Sequence, residues 1–209
     1  MSDALPIDIG ALERWGSLLL RPTLHIIYAG PRITEEVAIW YEYQDSGGYF
    51  GTATTASFFV PSKRQGTARY IRAWVHNLFG FPAHRCQVFV DRIWHEGELI
   101  DSERSALHWT DKDNCFQLDF IRKGYANGHY VDICATDSVI NQFYLVSEKS
   151  KKGYHYYKKS GNYKIDMTAE ASKPCSFSRF SLTVDFDATN WKNLKVICAD
   201  EGKKLFRWI

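Results

Sequence analysis

Nowhere does the chain approach the roughly 18 consecutive apolar residues that a membrane-crossing helix needs. Its longest candidate, Ser17-Leu18-Leu19-Leu20, is cut off by Arg21-Pro22. Excess charge is also scarce: 26 Lys and Arg against 24 Asp and Glu leave a net +2. That is too little to hold nucleic acid by a global field, so any electrostatic function must come from a local patch. The five cysteines, Cys86, Cys115, Cys134, Cys175 and Cys198, are odd in number, far apart and never form a CxxC pair. This spacing argues against a disulfide framework and against structural zinc. Met1 to Gly10 shows neither the basic nor the apolar region of a secretory leader. The expectation is free thiols in a reducing, cytoplasmic setting, with those in apolar runs behaving as small hydrophobes. P-loop, GxGxxG and GxSxG patterns are missing, and His95-Glu96-Gly97-Glu98-Leu99 does not complete HExxH.

What the chain does have is alternation. Tyr163, Ile165, Met167, Ala169 and Ala171 interleave with Lys164, Asp166, Thr168 and Glu170; Phe180, Leu182, Val184 and Phe186 interleave with Ser181, Thr183 and Asp185. Period-two alternation marks half-buried strands, and one wet face per sheet marks antiparallel sheets. Further strand candidates lie at 23–28, 37–43, 52–60, 68–76, 86–94, 105–109, 115–121, 129–135, 142–147 and 194–198. Turn signals separate them, among them Asp45-Ser46-Gly47-Gly48, Gly80-Phe81-Pro82 and the run Lys123 to Gly128. Many short strands at this spacing predict an all-β antiparallel sandwich or barrel. The one helical candidate is short, residues 8–19, with Asp8 as N-cap and Leu12, Trp15 and Leu19 on one stripe.

Pro61 to Gly66 reads as a linker, which divides the chain into a 1–66 N-terminal extension and a 67–209 β-sandwich domain. The extension is expected to pack on the same core, because Leu24, Ile26, Val37 and Ile39 require burial. Tyr70 to Asn77 and Cys86 to Val90 read as neighbouring antiparallel strands joined through Gly80/Pro82, with Cys86, Val88 and Val90 facing Ile71, Ala73 and Val75, and Trp74 nearby. In this rhythm residues 68–198 resemble an immunoglobulin-like sandwich. The resemblance implies a fold and no functional residues, since the Cys…Trp…Cys spacing and the tyrosine corner are not matched.

The most unusual local composition is the basic, tyrosine-rich hairpin 149–164. Lys149, Lys151, Lys152, Lys158, Lys159 and Lys164 alternate there with Tyr154, His155, Tyr156, Tyr157 and Tyr163. Cations interleaved with rings suit a phosphate-bearing single strand, a nucleotide, an acidic polypeptide or a glycan. The same lysines would also guard an exposed strand edge. Tyr41, Tyr43, Tyr49 and Phe50 around a Gly-Gly turn form a second aromatic loop, and Leu205 to Ile209 a hydrophobic terminus. His84 and Cys86, two apart, would share a strand face with His76 opposite, too few ligands for zinc. His108-Trp109-Thr110 is half of the paired H-x-T pattern of two-histidine phosphoesterases, and its second half is absent. Asp185 and Asp187 read as an ordinary wet face.

These observations favour a non-catalytic binding or interaction module that needs no metal and no cofactor, with Lys151, Lys152, Tyr154, His155, Tyr156, Tyr157, Lys158 and Lys159 as contact residues. The expected partner is a protein or a second copy of the chain, with nucleic acid or a nucleotide as further candidates. Two other classes stay open: an enzyme acting on a phosphate-containing substrate through His108 or His155, and a structural component of a larger assembly such as a phage or secretion particle.

Overall fold

The computed structural model describes residues 21–34, 67–110, 115–138, 142–149, 156–172 and 178–200. Within them two antiparallel sheets pack face to face over one core. In chain order the strands are β1 (Leu24–Thr34), β2 (Ala68–Asn77), β3 (Ala83–His95), β4 (Glu98–Asp101), β5 (Ser105–Ala106), β6 (His108–Trp109), β7 (Leu118–Ile121), β8 (Gly124–Asp137), β9 (Phe143–Leu145), β10 (Tyr156–Tyr157), β11 (Gly161–Glu170), β12 (Ser178–Phe186) and β13 (Lys195–Asp200). The first sheet runs β1-β2-β8-β9-β10, with β6 also paired to β8. The second runs β13-β12-β11-β3-β4, with β5 and β7 also on β3. The helix expected at 8–19, the strands at 37–43 and 52–60, the Tyr41–Phe50 loop and the hydrophobic terminus lie outside the described residues.

Alternation explains the second sheet directly. Tyr163 stands opposite Val184, Ile165 opposite Leu182 and Met167 opposite Phe180, and all six side chains are buried. Each such burial contributes about 1.5–3 kcal/mol relative to exposure. The intervening residues face out and satisfy one another: Asp166 accepts from Ser181 Oγ at 2.6 Å and from Trp94 Nε1 at 3.1 Å. A two-residue turn with left-handed Glu96 (φ 49°) and Gly97 (φ 85°) joins β3 to β4, the backbone that a tight hairpin demands.

In three places the chain departs from what alternation predicts. First, β2 and β3 are not paired; they lie in opposite sheets. Cys86, Val88 and Val90 do share the core with Ile71, Ala73 and Val75, but across the sandwich. The cause is a corner: buried Asn77 accepts from Thr23 N at 2.9 Å and donates Nδ2 to Phe81 O at 2.8 Å, so the Leu78–Pro82 connection leaves the first sheet at once. Second, residues 105–109 form no single strand. β5 pairs with β3 and β6 with β8, while Leu107 between them donates its N–H to Val88 O at 2.7 Å. Third, Gly124 to Gly128 is no turn, because it opens the long strand β8.

β1 pairs along the full length of β2, and its Leu24 and Ile26 are buried in the common core. No helix among the described residues is long and apolar enough to cross a membrane.

Candidate functional site

The chemistry-bearing side chains gather on the outer face of the first sheet. Ile71, Ala73 and Val75 of β2 point into the core, so Arg72, Trp74 and His76 point the other way. Register adds their neighbours. His25 and Ile27 on β1 lie opposite His76 and Trp74. On β8, Tyr130 lies opposite Trp74 and Asp132 opposite Arg72. His108 on β6 lies on the far side of Asp132. Directly opposed residues share a face, so Arg72, Asp132 and His108 form one row across three strands.

The rings touch. Trp74 lies 4.5 Å from Tyr130 and 5.8 Å from Tyr125, centroid to centroid. Tyr125 is 5.0 Å from His76, which meets His25 edge-on at 5.3 Å. The Arg72 guanidinium sits 4.2 Å above the Tyr130 ring, a cation–π contact. Trp74 is fixed from below: its Nε1 donates to Tyr125 O at 3.2 Å, and its ring lies so close to Gly128 that a Cβ there would stand 2.6 Å from Cε2. Tyr125 itself is 62% exposed, while His76 is only 3% exposed.

Among the described residues, this face is under-satisfied in a way that the other outer face is not. On the second sheet Arg104 pairs with Asp91 at 3.1 Å and Glu170 at 2.5 Å, and Thr168 donates to Asp91. On the first sheet His76 Nδ1, Arg72 Nε and Thr110 Oγ1 are buried without a hydrogen-bond partner. Buried polar atoms are rarely left so in folded proteins. Burial, with His25 adding a like charge, lowers the His76 pKa from its ordinary value. The imidazole is therefore held neutral, able to donate and to accept. At one end the face runs down to a depression of about 320 Å³ lined by Phe120, Arg122, Ala126, Asn127, Gly128 and His129.

Of the contact residues expected from sequence, Lys151, Lys152, Tyr154 and His155 lie outside the described residues, and Tyr156 pairs through its backbone with Tyr144. Tyr157 turns inward, its ring 5.6 Å from Phe143 and 5.5 Å from Tyr163, and burial pushes its phenol far up. Tyr163 is buried as well. Its hydroxyl donates to Lys159 O at 2.7 Å, and desolvation together with nearby Glu96 raises its pKa to about 12. Lys158 and Lys159 are exposed. In the described part of the hairpin, the rings of Tyr157 and Tyr163 go to the core and Lys158 and Lys159 to water.

The histidine readings are redistributed. His84 is exposed and Cys86 buried, separated by the left-handed backbone of Arg85 (φ 51°), and His76 packs against His25. No group of three or more metal-ligating side chains forms among the described residues. His108 does meet a carboxylate position, Asp132, with its ring 5.6 Å from Phe116. Asp187 serves its own loop, accepting from Thr189 and Asn193, which lowers its pKa to about 2.

Comparison with protein-family profiles, curated proteins and solved structures finds no match to this chain.

The Arg72-x-Trp74-x-His76 face was readable in principle, as the complement of the buried Ile71, Ala73 and Val75. Tyr125 was hidden, because Gly124, Asn127 and Gly128 imitate a turn.

Proposed function

We propose that this chain is a non-catalytic binding module of immunoglobulin-like sandwich type, acting in the cytoplasm, with the outer face of its first sheet as the contact surface. The partner this face suits is anionic and carries flat rings, as a single-stranded nucleic acid does. One observation carries the reading: Trp74, Tyr130 and Tyr125 are clustered ring to ring with a guanidinium on top. Rings stack on bases and Arg72 meets the phosphate. The lysines of the 149–164 hairpin add a second contact. The immunoglobulin-like type is supported by consecutive strands that change sheets, β2 to β3 and β10 to β11.

Titration of single-stranded oligonucleotides against the intrinsic tryptophan signal tests this reading. Binding is expected to weaken by about 1–3 kcal/mol in Trp74→Ala, the worth of one base stack. It should weaken with added salt and in Arg72→Ala. No binding by the unaltered protein would remove nucleic acid and leave a protein partner as the reading of the same face.

A second reading follows from the row Arg72, Asp132, His108. A histidine beside a carboxylate and a guanidinium is the start of an acid-base site for a phosphoester. Hydrolysis of p-nitrophenyl phosphate that disappears in both His108→Gln and Asp132→Asn would support it; turnover at the uncatalysed rate would discard it.

A further inference from the structure

We infer that the end of the sandwich formed by the Leu78–Pro82 corner and the β7–β8 connection docks on an anionic lipid surface. The corner leaves the first sheet where Asn77 bridges Lys123 and enters β3 where Ala83 pairs with Ile121 and His84 with Phe120. The two connections therefore form one surface.

That surface presents large apolar side chains to water. Phe79 is 47% exposed, Phe81 61% and Phe120 46%. Phe79 and Phe81 come from the five-residue loop and Phe120 from β7, and about half of each ring stays in water. Among the described residues the charge around them is one-sided. Arg21, Arg85, Arg122 and Lys123 are exposed on or next to these segments, against Asp119 on β7. The Arg122 guanidinium lies 5.7 Å over the Phe120 ring, so cation and ring occupy the same spot. Half-exposed aromatics beside cations match the two layers of a lipid interface. Apolar rings bury at the boundary of headgroups and acyl chains, and each Lys or Arg gains from the anionic surface potential. An acidic protein groove would satisfy the cations, but it offers no reason for three half-exposed phenylalanines beside them.

This surface adjoins the Trp74 face at the depression lined by Phe120 and Arg122, and the test separates the two. Sedimentation with phosphatidylcholine vesicles, with and without phosphatidylserine, should show binding only to the anionic ones. Arg122→Glu with Lys123→Glu should reduce it by at least about tenfold. Phe79→Ser with Phe81→Ser should reduce it comparably, and Trp74→Ala and Ile197→Ser, the latter an exposed residue on β13, should leave it unchanged. If the phenylalanine pair does not fold, the charge-reversal pair decides. Equal binding to neutral vesicles, no binding, or equal loss in Ile197→Ser would overturn the inference. Complete competition by soluble glycerophosphoserine would overturn it too, by pointing to a small-molecule phosphate site.

Discussion

His25 and His76 stand directly opposite each other on β1 and β2, their rings edge to face at 5.3 Å on the outer surface of the first sheet. Burial and this neighbour keep His76 below its ordinary pKa of 6.5. The unfolded chain therefore binds a proton that the folded one refuses, and stability rises with pH across that interval. Stability should be complete above pH 6.5 and fall as pH drops toward the lowered folded value. Thermal melts across this range check it. His76→Phe should flatten the pH slope even if it moves the melting temperature at every pH; an unchanged slope would show that His76 does not titrate as stated.

Gly128 is the seat of Trp74. A Cβ at this position would come within 2.6 Å of both Trp74 Cε2 and Val75 O, and a backbone oxygen in the middle of a strand cannot step aside. Gly128→Ala should cost about 1–3 kcal/mol in urea unfolding, the usual penalty of overpacking. Near-ultraviolet circular dichroism should change with it as the indole is displaced.

Leu182 and Thr183 are adjacent in sequence and opposite in fate. Leu182 is fully buried against Ile165, and Thr183 faces out beside Cys198. Leu182→Ala should destabilise by about 2–5 kcal/mol. Thr183→Ala should stay within about 1 kcal/mol. Equal effects at the two positions would contradict the register of β12.

Thiol reactivity should follow burial. Cys86 and Cys134 are buried, and Cys198 is exposed on the edge strand β13. Burial, reinforced by nearby Asp132, pushes the Cys134 thiol far up, which suppresses the reactive thiolate. An alkylating reagent followed by mass spectrometry should label Cys198 in the native protein, and Cys86 and Cys134 only after unfolding. β13 is an edge strand, and Ile197 and Cys198 are both exposed on it.

The strands themselves were legible because alternation is local. Tyr163 to Glu170 and Phe180 to Phe186 declare their inner and outer faces without reference to anything else, and so do Ile71, Ala73 and Val75. The described turn at Gly80-Phe81-Pro82 was also readable, since proline and glycine act on their own backbone. The run from Gly124 to Gly128 shows the limit: glycine there serves the close approach of Trp74, and a local reading takes it for a turn.

Sequence by itself determined that the described chain is built of antiparallel strands with one wet face, because side-chain periodicity is set by the backbone that carries it. Only the tertiary structure decided which sheet each strand joins. Asn77 sends β3 away from β2 through hydrogen bonds to Thr23 and Phe81, residues that sequence spacing gives no reason to connect. The candidate face was decided in the same way: Arg72, Asp132 and His108 come together through pairings of β2, β8 and β6. Such long-range register depends on how two whole sheets fill a common core, and no window of sequence contains it.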